Sequence, residues 1–129
     1  MAKYLFDTTV LIDLSKRRHA ILAGVRTLNQ PGNERGLCAI TVTEFFTGLS
    51  PAERSHWSES IETLSYWDIT REEALHAADH RYTFARRGRT LNTADVLIAA
   101  VAWEQNATLV TANVRHFPMS DIRVLSLSS

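Results

Sequence analysis

Cysteine is nearly absent from this 129-residue chain: Cys38 stands alone, so no intramolecular disulfide can form, and the usage fits a reducing compartment. Its expected role is that of a small buried strand residue. A charge surplus is missing as well. With 14 Lys and Arg against 14 Asp and Glu, the overall field does not call for a polyanionic partner, and any nucleic-acid surface has to come from local clustering. No run approaches the roughly 20 apolar residues needed to span a bilayer. The first residues offer one Lys and a short apolar stretch broken by Asp7, which is not the apolar core of a signal peptide, so a cytoplasmic protein with no membrane partner is expected. Internal repeats, low-complexity tracts and linkers are also lacking.

What is present is the composition of a soluble globular protein, 45% hydrophobic and 22% charged. A chain of this size buries roughly two-thirds of the surface its unfolded form exposes, so residues 1–129 are expected to form one domain around one core.

Strand-like and helix-like patterns alternate along it. Lys3 to Phe6 reads as a strand, Thr8 to Ser15 and Arg18 to Leu28 as helices, and 29–36 as a loop by its Pro, Gly and Asn content. Leu37 to Ile40 reads as a second strand. Thr41 to Glu44 has the form of a capping box, opening a helix to about Leu49, and Ser50-Pro51 starts another that runs to Leu64. Tyr66 to Ile69 suggests a third strand. Thr70 to Glu73 is a second capping box, whose helix should end at Gly88, and Asn92 opens a nearly all-buried helix through Trp103. Thr108 to Val110 and Ile122 to Leu127 supply the last strands. The alternation implies an α/β three-layer sandwich, a mainly parallel central sheet flanked by helices, with a site outside the carboxyl ends of its strands.

Three carboxylates, Asp7, Glu44 and Asp95, each stand near the start of a helix-like run. Capping and the helix macrodipole explain any one of them alone. As a set they admit another account. A hard cation such as Mg²⁺ or Mn²⁺ takes oxygen ligands from one or two carboxylates plus water, and it relieves the repulsion such acids feel when gathered together. Sequence spacing does not show that the three meet.

Four segments carry a resemblance. They are Leu5-Phe6-Asp7-Thr8-Thr9-Val10-Leu11-Ile12, Ile40-Thr41-Val42-Thr43-Glu44, Thr93-Ala94-Asp95-Val96-Leu97-Ile98-Ala99-Ala100, and the stretch from Ala107 to Phe117. In order and spacing they cover nearly the whole chain, which resembles the PIN-domain nucleases and, more narrowly, the VapC-type toxins of toxin–antitoxin pairs. The resemblance implies a PIN-like fold and an acidic pocket that binds Mg²⁺ or Mn²⁺ and hydrolyses RNA. Carried over by position, Asp7 and Asp95 are the main metal ligands, Glu44 a water-mediated ligand or water-orienting group, and Thr8 and Thr111 supporting hydroxyls. Asn113 stands where many relatives have a fourth acid, which implies a looser second metal. The expected partners are an RNA substrate, a VapB-type antitoxin and a second copy in a homodimer. An RNA-processing nuclease with no toxin role, and a catalytically weak RNA-binding module, remain as alternatives.

Other features invite different readings. His76 and His80, four apart on one helix, have zinc-ligand spacing, but no Glu makes them a metalloprotease motif and the sequence points to no third ligand, so they read as a surface pair. His116 beside Arg115 suits contact with phosphate or solvent. Lys16-Arg17-Arg18 and Arg86-Arg87-Gly88-Arg89 suit either a phosphate rim or solvated helix ends. Phe45, Phe46, Trp57, Trp67 and Trp103 are mostly core, with part available to a dimer interface or an antitoxin groove.

Overall fold

Five short strands pair entirely in parallel in the computed structural model, which describes residues 2–127. They are β1 (Lys3–Phe6), β2 (Glu34–Cys38), β3 (Ser65–Trp67), β4 (Thr108–Thr111) and β5 (Arg123–Ser126), in the order β3-β2-β1-β4-β5. Between β1 and β2 run α1 (Thr8–Ser15) and α2 (His19–Leu28), and between β2 and β3 run α3 (Ala39–Thr47) and α4 (Pro51–Ile61). After β3 the chain passes through α5 (Arg71–Arg86) and α6 (Thr93–Gln105) and returns on the other side of β1. Strand order therefore reverses at β1, and the crevice such a reversal opens lies outside the carboxyl ends of β1 and β4.

Alternation along each strand sorts the core into two layers. Leu5, Cys38, Trp67 and Leu109 pack with α5 and α6 residues such as Ala77, Val96, Ile98 and Val101. Phe6, Leu37 and Val110 face the opposite way, onto Val10, Leu11, Ile21 and Phe45 of α1, α2 and α3. This is the expected three-layer α/β sandwich. Small side chains Ala99, Ala100 and Ala102 are almost wholly buried on α6, which lets that helix lie close to the sheet. Cys38 is buried as expected, and burial pushes its thiol above the usual range.

Two local expectations need correction. The second strand starts at Glu34, inside the stretch read as loop, and ends at Cys38, because the ladder from Lys3, Tyr4 and Leu5 to Glu34, Arg35 and Gly36 satisfies the backbone whatever the side chains are. The helix after it begins at Ala39, with no side-chain cap, so Thr41 does not form the expected capping box. Its hydroxyl instead donates to the Phe6 carbonyl at 3.3 Å, which leaves the Glu44 carboxylate free for other work. A box that the sequence reading missed lies at the next helix, where Ser50 and Glu53 cap each other's backbone amides.

The Thr70–Glu73 box forms as expected, and Gly88 follows the end of α5 with φ +83°, a conformation that favours glycine. Asn92 caps α6 by accepting from the Ala94 amide at 2.7 Å. No helix among the described residues is long and apolar enough to cross a membrane.

Gly36 sits under the ring of Trp67 from the neighbouring strand, and a Cβ built there would lie 2.4 Å from the ring. Gly36→Ala should lower unfolding free energy by about 1–3 kcal/mol, the usual range for overpacking, with an unchanged m-value in urea denaturation.

Candidate active site at the carboxyl ends of β1 and β4

Asp7 is the first residue past β1 and the N-cap of α1, and it is only 4% exposed. Its Oδ1 accepts the Thr8 amide at 2.7 Å, while its Oδ2 accepts the hydroxyls of Thr9 and Thr111, each at 2.8 Å. An ionised carboxylate has about four acceptor positions, so these three donors leave one open. The same residue is thus a helix cap and a buried anchor between strands. Its backbone amide also donates to the Val110 carbonyl at 2.9 Å, tying the end of β1 to β4.

Glu44 reaches this site from α3. Its Oε1 accepts the Thr8 hydroxyl at 2.7 Å, so the residue after Asp7 orients a second acid. Asp95 reaches it from the first turn of α6, where Asn92, not Asp95, is the cap. Burial is the main cause that raises the Asp95 carboxyl above its ordinary value of 3.8; the facing His116 pulls it down, and the negative charges of Asp7 and Glu44 add to the rise. Among the described residues no hydrogen bond joins the three acids directly. They are coupled through Thr8 and through their fields.

The threonines hold the rest of the loop. Thr9 Oγ1 accepts the Ala112 amide at 3.0 Å, and Thr111 Oγ1 accepts the Asn113 amide at 2.9 Å. Thr8 and Thr111 each bond to one acid of the set, Thr8 to Glu44 and Thr111 to Asp7. Thr9 was not singled out from the sequence, although a hydroxyl two residues after an acid is well placed to bond back to it.

Asn113 stands at the mouth of the site on a short 3₁₀ turn, Val114–His116, with its Nδ2 3.0 Å from His116 Nε2. The other ring nitrogen, Nδ1, lies 3.5 Å from Asp95 Oδ2. His116 is thus beside an acid of the site, where a contact with phosphate or solvent had been expected. Arg89, Asn92, Asp95, Arg115 and His116 line a cavity of about 230 Å³. Arg89 donates to the Arg115 carbonyl, which draws the two arginines together at its rim. From the Arg86-Arg87-Gly88-Arg89 cluster only Arg89 borders this space; Arg86 lies over the Tyr82 ring and Arg87 over Phe84.

The donor set suits a divalent metal of the Mg²⁺ or Mn²⁺ class. All the acids offer hard oxygen, and the upward push on Asp95, set mainly by burial and added to by the charges of Asp7 and Glu44, is one that a cation would relieve. Asp7, with one acceptor position left, and Asp95 would hold it.

Residues 4–121 match the family model described as the PIN domain. The chain is 29% identical over 125 residues to Ribonuclease VapC2 of Haemophilus influenzae, covering 91% of each chain. It is 33% identical over 119 residues to Ribonuclease VapC19 of Mycobacterium tuberculosis, covering 89% of this chain and 92% of the relative. Among solved structures, VapBC2 from Rickettsia felis, bound to a DNA fragment from its promoter, has a chain similar to this one with a TM-score of 0.83 and 21% identity, over 96% of this chain and 98% of that one. Matched from the first strand to the loop before the last, with relatives of nearly equal length, the chain belongs to the PIN-domain family, in its VapC branch.

Proposed function

We propose that this chain is a metal-dependent endoribonuclease acting as the toxin of a toxin–antitoxin pair, with Asp7, Glu44 and Asp95 as its catalytic acids. The observation that carries the reading is the convergence of three carboxylates, from β1, α3 and α6, at the point where strand order reverses. The relatives' name, Ribonuclease VapC, supports RNA as the substrate.

Asp7 and Asp95 would hold Mg²⁺ or Mn²⁺, which would supply Lewis acidity toward phosphoryl oxygens and make water a better nucleophile at neutral pH. Glu44, fixed through Oε1 by Thr8, keeps Oε2 to orient the attacking water and accept its proton. The water's oxygen bonds to phosphorus as its proton passes to Glu44, while the P–O bond to the leaving nucleotide breaks and the departing oxygen takes a proton from solvent. Arg89 and Arg115 meet the flanking phosphates, which lets a chain of zero net charge hold RNA. Asn113 brings an amide where an acid would add charge, so it would hold a second metal only loosely. Thr8 and Thr111 position the acids.

A VapB-type antitoxin is the proposed partner, and the Rickettsia felis VapBC2 complex supports it. A cavity of about 630 Å³ beside Leu14, Leu22 and Trp57, with Arg17, Arg26 and Glu53 also lining it, offers an apolar floor with charged edges for such a partner. Pairing of two copies belongs to the same proposal, as does the extent of one domain across 1–129.

Purified protein freed of antitoxin should cleave RNA with Mg²⁺ or Mn²⁺ and stop when EDTA is added; failure to cut any cellular RNA in a gel assay overturns the reading. Asp7→Asn and Asp95→Asn should both abolish cleavage but shift stability in opposite directions. Asn at position 7 disrupts buried bonds to three donors and should cost about 1–3 kcal/mol. Asp95 titrates above its unfolded value, so its favourable contribution is present at acid pH and lost as pH rises through the raised value. At neutral pH the metal-free Asp95→Asn protein should therefore melt above the parent, and this difference should vanish at low pH. Asn113→Asp should bind Mn²⁺ several-fold more tightly by calorimetry, since it adds a charged oxygen to the same loop.

A further inference from the structure

His76 and His80 lie one turn apart on α5, and the loop before β5 brings Asp121 to both. Asp121 Oδ2 is 2.7 Å from His76 Nε2 and 3.0 Å from His80 Nε2, and Oδ1 is 3.1 Å from the latter. One ligand atom from each residue lies within 4.8 Å of the other two, the one such gathering of three His, Cys, Asp or Glu side chains among the described residues. The fold thus supplies the third ligand that the sequence did not reveal, from a position 41 residues beyond His80.

The rings are held in place before any ion arrives. His76 stacks on Trp103 of α6 with centroids 3.8 Å apart and planes 6° from parallel. His80 meets His76 edge to face at 4.8 Å. The three side chains are 21%, 19% and 32% exposed, so they are fixed on their inner side and open to solvent on the outer.

We propose that His76, His80 and Asp121 form a second metal site, specific for zinc and similar borderline cations and independent of the acidic pocket. Two imidazole nitrogens and one carboxylate oxygen are a ligand set that zinc takes with tetrahedral geometry, leaving a fourth position for water at the open edge. Hard cations such as Mg²⁺ prefer all-oxygen sites, so the two sites sort metals by ligand softness. Binding needs both imidazoles with Nε2 free of its proton and the remaining ring proton on Nδ1.

The two sites are well separated. Asp95 opens α6 and Trp103 lies eight residues later, about 12 Å along the axis at roughly 1.5 Å per residue. Asp121 precedes β5, at the amino ends of the strands, whereas the catalytic acids gather at the carboxyl ends. A zinc ion here would staple the segment between β4 and β5 onto α5, and that segment begins with Asn113 and His116 at the mouth of the pocket.

The test is calorimetric titration of Zn²⁺ into the tag-free, full-length Asp95→Asn variant, in which the acidic pocket is impaired, with Co²⁺ as a visible-absorption probe of coordination. One equivalent should bind, with cobalt bands of tetrahedral intensity and a rise in melting temperature. His76→Gln and His80→Gln, each in the same background, should weaken binding more than about 100-fold, and Asp121→Asn should weaken it to a smaller extent. Circular dichroism of each variant separates loss of a ligand from loss of fold. Absence of zinc binding in the parent, or equal binding in His80→Gln, overturns the proposal and leaves the trio as a hydrogen-bonded clasp only.

Discussion

The bond from Thr111 to Asp7 is the constraint on which the rest depends. It spans 104 positions of sequence, is buried, and joins the ends of two neighbouring parallel strands at the place where the sheet changes direction. Around it the same few atoms do several jobs. Asp7 starts α1, Thr111 turns the chain toward Asn113, and Thr9 fastens Ala112. Removing the carboxylate would orphan donors in both strands' following loops, which is costlier than losing an exposed cap.

This arrangement gives the three acids different standings. Asp7 is compensated by its donors and has a structural duty. Asp95 has little to offset its burial besides His116, and the neighbouring acids act against it. Glu44 lies between these cases, steered by one hydroxyl. A cation would meet its strongest attraction where protein compensation is weakest, which makes Asp95 the acid of the three with most to gain from one.

Much of the architecture was legible from hydrophobic period and from capping signals. Thr70 with Glu73, Asn92 before its helix and Gly88 after α5 all behave as their side chains dictate, because these are local effects. The strand at Glu34 was not legible, since its polar residues are selected by a ladder to β1 that local sequence does not encode. Thr41 misled for the same reason: its hydroxyl found a carbonyl 35 positions away in preference to its own helix. The acids were found by order and spacing, yet their meeting, and the roles of Thr9, Arg89 and His116, required the tertiary arrangement. Asp121 is the sharpest instance, because a carboxylate in a loop carries no mark of the two imidazoles it faces.

The long reach of the Thr111 bond also bears on the order of events during synthesis. A growing chain that has released β1 through α6 already carries all three acids, but not the strand that fixes the first of them. Until residues 108–111 emerge and insert beside β1, the carboxylate of Asp7 lacks its buried donor and the crevice lacks a wall. Closure of the crevice therefore waits on a strand made after all three acids, so the site is completed only when the last fifth of the chain has joined the sheet.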